Sequence, residues 1–235
     1  MGRGAICDEC VRVRREWYKL PSMNVPTPIR YLTTISEHVR THFGDDSFVL
    51  HEATSSTIHV DIHVVRPNPL KPYFTLLTSG MSDLDMAVPP EYKELALAEV
   101  CLCLPGDWPL SMDGCDWRKS EYSWPIRLLQ ETARYPHEHG TWLFWGHTLG
   151  DNDDPLPFGV ATDFTGLIVL QPQTLSEAAT SVKTDDGRTI NYLAIVPIHP
   201  DEMKFRFENG SIALINKLIE ADVNELLRPQ RSSIL

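Results

Sequence analysis

The sequence predicts an α+β fold in which a mixed, largely antiparallel β-sheet sandwich is flanked by helices. Three observations carry this reading. Apolar residues are 42% and charged residues 23% of 235, ordinary globular usage. Period-two and period-3.6 stretches alternate along the chain, giving about eight strands and four or five helices. Hairpin signals such as Asp185-Asp186-Gly187 join neighbouring strands locally, which favours antiparallel pairing.

Residues 1–26 are expected to form an N-terminal segment, with a Cys7-Asp8-Glu9-Cys10 pair, a short basic helix over Arg12 to Leu20 and a proline-rich linker from Pro21. One CxxC supplies half of a structural zinc site, so Cys7 and Cys10 are weak metal candidates. A single domain is expected over 27–228, followed by a frayed tail over 229–235. Thr27-Pro28 suits a helix start and Gly44 a helix end, with Leu32, Ile35, Val39 and Phe43 on one face.

Ser47 to Ala53 and Ile58 to Val65 read as paired strands. In the second, Ile58, Val60, Ile62 and Val64 occupy one face and His59, Asp61 and His63 the other, which is expected to be the wet face. Tyr73 to Thr78 is a further strand, ending in Thr78-Ser79-Gly80-Met81-Ser82-Asp83-Leu84-Asp85-Met86. Short polar and acidic side chains around a glycine turn at a strand end suit a binding loop. Ala98 to Leu104 reads as a strand closed by Pro105, with Cys101 and Cys103 as small core residues. Trp124-Pro125 starts a helix expected to run to about Tyr135. Surface histidines His137, His139 and His147 then surround an aromatic stretch. Asp151-Asn152-Asp153-Asp154 is a turn without the glycine and distal glutamate of an EF-hand. Strands over Phe164 to Gln171 and Thr189 to Ile198 follow. Pro200 to Asn209 is a helix, and a second one capped by Ser211 turns Ile212, Ile215, Leu218 and Ile219 inward.

The formal charge is −11, from 32 acidic and 21 basic residues. Residues 1–30 hold six basic and three acidic side chains, +3, so the remainder carries −14. Such a body repels phosphate backbones and attracts a basic protein. No apolar run reaches the ~20 residues of a membrane span. The N-terminus lacks a signal-peptide core, Ile6 stands where a myristoylation motif has Ser or Thr, and five cysteines fit no export-type disulfide framework. A cytoplasmic protein with reduced thiols, no nucleic-acid or membrane partner and no cofactor is the expectation. A metal-dependent hydrolase built on His59/His63 or His137/His139/His147 is the alternative, although neither spacing is HExxH. No GxSxG elbow is present, and spacing gives Ser79 and Ser82 no base partner.

Several pieces in order resemble the Suppressor of fused family. They are Pro72 to Asp83, Ala98-Glu99 to Leu104-Pro105, Trp124-Pro125 with Ala133 to Glu138, Thr141-Trp142 with Trp145 to Thr148, and Pro157 to Val160. The set looks like the compact bacterial type. The resemblance implies a mixed α/β sandwich and no enzymatic activity. Animal members hold zinc-finger transcription factors by strand addition, and bacterial relatives are associated with toxin systems, many resembling immunity proteins. The resemblance places Thr78 to Asp83 near a peptide groove, and with the acidic charge this gives an expected partner-binding rim of Thr78, Ser79, Gly80, Met81, Ser82, Asp83 and Asp85 facing a basic toxin domain.

Overall fold

A computed structural model describes residues 29–53, 55, 57–110, 118–150 and 155–235. The Cys7/Cys10 pair, the basic helix, the linker, the Thr27-Pro28 helix start and the Asp151–Asp154 turn lie outside these.

Helix α1 (Leu32–Phe43) comes first, then β1 (Ser47–Leu50), β2 (Asp61–Val65), β3 (Tyr73–Ser79) and β4 (Ala98–Pro105). After α2 (Ser120–His139) come β5 (Thr148–Gly150), β6 (Gly166–Leu170), β7 (Ser181–Lys183), β8 (Thr189–Ile198), α3 (Pro200–Asn209) and α4 (Ser211–Glu220). Among the described residues the eight strands form one sheet of order β1-β2-β3-β4-β8-β6-β5, with β7 also pairing β8. All neighbours are antiparallel except β4 and β8, which pair Ala98–Cys101 in parallel with Asn191–Ala194. The expected mixed, largely antiparallel arrangement is therefore the one adopted, and the layers that enclose the sheet are helical.

Strand alternation sorts the core into two faces. Ile62, Val64, Leu76, Val100, Leu102 and Ile195 meet Trp124, Leu129 and Ala133 of α2. Leu77, Cys101, Ile168, Ala194 and Val196 meet Ile35 and Val39 of α1 and Leu214, Ile215 and Leu218 of α4 on the other. Cys101 and Cys103 are core residues, and burial pushes the Cys103 thiol up to about 12. Both faces being covered explains why no strand at the centre shows a wet side.

Local differences from the sequence expectation have identifiable causes. Helix α1 starts at Leu32 because the Arg30 N–H is taken by the Asp83 carboxylate at 2.8 Å, holding the chain in a turn before Tyr31. Helix α2 continues through Pro136 to His139: the proline lies in the last turn and loses only its own donor. Its carbonyl accepts the N–H groups of Gly140 and Thr141, with Gly140 left-handed at φ 59° as the cap. In α4, Leu214 is buried in place of Ile212 and Ile219, which are 55% and 68% exposed. Residues leading into the tail, and Arg231 within it, contact the body of the fold. Leu227 is buried, Leu226 bridges to Cys103 beside β4, and Arg231 donates to the buried Glu202 carboxylate at 2.5 and 2.7 Å.

Candidate partner-binding site

The stretch after β3 is shaped by a residue 13 positions beyond it. Glu99, second in β4, is fully buried on the α1 face. Its Oε1 accepts the Gly80 N–H at 2.9 Å, the Ser82 N–H at 3.0 Å and the Ser82 hydroxyl at 2.6 Å. Its Oε2 accepts the Thr78 hydroxyl at 2.6 Å, and Thr78 Oγ1 in turn accepts the Val100 N–H at 2.9 Å. Thr78, Gly80 and Ser82 thus form a cradle around one carboxylate. Burial raises the Glu99 pKa, and the hydrogen bonds from Ser82, Thr78 and Gly80 oppose that shift. Gly80 has φ 118°, and a Cβ there would overlap the His59 carbonyl oxygen, so glycine is required twice over.

Of the seven residues expected to form a partner-selecting rim, Thr78, Ser79, Met81 and Ser82 are fully buried and Gly80 offers only backbone. Asp83 is half-buried, holds the Arg30 N–H and has its pKa raised by burial. Leu84 is 48% exposed and Asp85 is exposed. Asp85 pairs with Arg188 at 2.8 Å, in the turn before β8 where Asp186 binds Arg30 and the Tyr31 hydroxyl, each at 3.0 Å. The strand end, the α1 start and the β7–β8 turn are therefore tied together at the surface. Side-chain contact with another protein is open to Leu84 and Asp85, partly to Asp83, and not to the four buried side chains.

The histidine face of β2 is not wet, because α1 lies over it. Asp61 and His63 are each only 3% exposed. Asp61 binds His59 Nε2 and His51 Nδ1, both at 2.8 Å, and accepts the Glu52 N–H at 3.0 Å. Glu52 pairs with Arg134 of α2 and accepts the Val60 N–H at 3.0 Å. Spacing gave Ser79 no base partner, yet its hydroxyl lies 3.2 Å from His63 Nε2, a pair made by β2–β3 register. Burial lowers the His63 pKa to about 4. Both groups are enclosed, so the pair has the members of a nucleophilic dyad without access for a substrate.

The remaining histidines are dispersed. His137 Nε2 contacts the Met81 carbonyl at 2.9 Å, His139 packs on Tyr135 and His147 meets Trp142 edge-on. Among the described residues no group of three or more His, Cys, Asp or Glu side chains is placed to hold a metal ion. No described helix is long and apolar enough to cross a membrane.

Sequence reasoning missed the buried glutamates as a class. Glu202 accepts the His199 N–H at 2.8 Å, the Ile234 N–H at 3.1 Å and the Arg231 guanidinium. Glu225 accepts the N–H groups of Gln173 and Thr174 at 2.7 and 2.6 Å. For Glu99 a signal existed: a lone acid inside Ala-Glu-Val-Cys-Leu-Cys-Leu.

A mixed sheet with a single parallel pair, covered by helices on both faces, is a fold this chain shares with solved structures. A SUFU homologue from Neisseria gonorrhoeae superposes with a TM-score of 0.62 at 15% identity, over 87% of this chain and 97% of that one. A chain of the Sufu–Fu complex gives 0.61 at 14% identity, over 88% and 93%. Drosophila Suppressor of Fused gives 0.59 at 15%, over 91% of this chain and 54% of that one, so the chain spans about half its length. The family model for Suppressor of fused protein (SUFU) matches residues 56–232, and the chain belongs to that family. Among curated proteins none matches it in sequence.

Proposed function

We propose that this chain is a non-enzymatic protein-binding domain that serves as an immunity protein, binding and neutralising a cognate toxin domain in a bacterial cytoplasm. Membership of the Suppressor of fused family carries the reading. Two further observations support it. One structural relative is described in complex with another protein, Fu, and another comes from a bacterium. The charge of −11 favours a basic partner, drawn by long-range attraction and held at exposed carboxylates. Of the five histidines that would serve a hydrolase, three are committed to internal bonds: His63 to Ser79, His59 to Asp61 and His137 to a carbonyl.

The contact region proposed is the rim after β3, narrowed to Asp83, Leu84 and Asp85, with the Thr78–Ser82 cradle fixing its position. The test is co-purification of the full chain with the product of the neighbouring gene. Wild type is expected to retain it, and Leu84→Arg/Asp85→Lys to lose it with an unchanged circular dichroism spectrum. Equal retention by the double variant removes the rim from the interface. No complex with that product and no rescue of cells expressing it overturns the immunity reading.

A further inference from the structure

A second surface is built differently from the rim. Beside the N-terminal ends of the parallel pair β4 and β8, where β6 ends and β7 has not begun, the sheet parts and leaves a cleft of about 480 Å³. That lies within the ~300–1,000 Å³ typical of ligand sites. Leu95, Phe144 and Trp145 form its apolar wall, and Gln171, Glu177 and Asn191 bring polar groups to it.

The walls are fixed by backbone bonds. Gly146 N–H donates to the Val169 carbonyl and Val169 N–H to the His147 carbonyl, both at 2.8 Å, holding 144–147 against β6. Tyr192 N–H donates to the Thr180 carbonyl at 2.8 Å, holding the turn that carries Glu177. Phe144 is stacked on Trp142 at 5.7 Å, and Trp142 on Tyr92 at 5.5 Å, so the aromatic wall is supported from behind. A preformed wall lowers the ordering cost of binding.

The polar groups here are not committed to the fold as those around Glu99 are. Among the described residues the Glu177 carboxylate, the Gln171 and Asn191 side-chain amides and the Trp145 indole make no hydrogen bond, ion pair or ring contact. Trp145 is 37% exposed. Among the described residues no Lys, Arg or His lines the cleft. An exposed carboxylate and an exposed indole lining one cleft suit a cation, which binds an acid and lies over an aromatic ring. Two amides suit the donors and acceptors of an extended main chain, and the wall suits an apolar side chain next to the cation. A small amine would use Glu177 and leave the amides and the wall unused.

We infer that this cleft is a docking site for an extended segment of a partner protein that presents an arginine or lysine beside an apolar residue. The inference rests on the protein-binding reading above and adds a second contact region with its own chemistry. The probe is the peptide acetyl-Gly-Leu-Arg-Leu-Gly-amide, titrated into ¹⁵N-labelled full-length protein. The Trp145 indole resonance is assigned by its loss in Trp145→Phe.

A saturating shift of that resonance is expected, with affinity falling about tenfold or more in Glu177→Lys and little response to the analogue carrying glutamate in place of arginine. Glu177 is exposed, so the variant folds, and an unchanged melting temperature checks this. No shift, or equal shifts with the two peptides, overturns the inference, and an equal shift with butylguanidine replaces the peptide by a small cation. The titration is independent of the neighbouring gene product. A partner that binds wild type and Trp145→Ala/Glu177→Lys equally removes the cleft while leaving the protein-binding reading intact.

Discussion

The cradle around Glu99 and the cleft beside Glu177 both gather a carboxylate and other polar side chains near the ends of strands, yet they have opposite relations to the rest of the chain. At Glu99 four donors from Thr78, Gly80 and Ser82 converge on one buried acid, and the group is closed to anything outside. At Glu177 the acid, two amides and an indole line a cleft open to solvent. The difference shows that polarity at a strand end does not distinguish a binding loop from a structural one. What distinguishes them is whether the polar atoms are already satisfied, since a buried polar group must find its partner inside the fold and an exposed one need not.

The largest expected effect is at the closed region. Glu99→Leu leaves the Ser82 hydroxyl and the Gly80 and Ser82 N–H groups without an acceptor in a buried site, and leaves the Thr78 hydroxyl only the Val100 carbonyl at 3.3 Å. A loss of about 4 kcal/mol of stability, read by urea denaturation, follows from several unpaired buried donors. A loss below about 1 kcal/mol would mean that water replaces the carboxylate and that the cradle is less closed than its burial implies. Arg231→Ala comes next. It strips the guanidinium from Glu202, whose side chain is fully buried, and is expected to cost about 3 kcal/mol by the same measurement.

The third effect is a pH dependence centred on His63. Its folded pKa of about 4 lies below the ordinary 6.5, so between those values the unfolded chain binds the proton more readily. The stability it contributes is complete above about 6.5 and is lost as pH falls toward 4, by on the order of 3 kcal/mol. His38 and His137, also lowered by burial, act in the same direction, whereas the raised Glu99 acts against them. Thermal melts from pH 7.5 to 4 should therefore show a smaller drop for His63→Gln than for wild type. Equal drops would place the sensitivity on other groups.

The smallest effects belong to exposed acids. Arg188→Ala breaks the half-exposed pair with Asp85 and is expected to cost less than about 1 kcal/mol. Glu177→Gln should leave stability within about 0.5 kcal/mol while weakening binding of the basic peptide. A large loss of stability in Glu177→Gln would mean that its carboxylate serves the fold after all, and the contrast with Glu99 would collapse.

Much of the architecture was legible along the chain. The spacing of Leu32, Ile35 and Val39 marks α1, Asp185-Asp186-Gly187 marks the β7–β8 hairpin, and Pro200 and Gly210 bracket α3. These signals are local, because turn geometry and side-chain period are set by neighbouring residues. The ordered family pieces were also readable, and the family model supports them over residues 56–232. The histidine face of β2 misled because alternation reports that two faces differ in polarity, not that one meets water. Helix α1 packs over it, and Asp61 and Ser79 satisfy its imidazoles.

The strand end after β3 is where the two levels separate most sharply. Sequence by itself determined that a glycine turn follows Thr78, that the residues around it are small and polar, and that the segment belongs to a recognisable family. Only the tertiary structure decided that Thr78, Gly80 and Ser82 face inward to Glu99, that His63 reaches Ser79, and that Leu84 and Asp85 remain for the surface. The physical reason is that a hydrogen bond's value depends on solvent access and on partners brought by register from 17 to 21 residues away. Composition and spacing along one stretch carry neither.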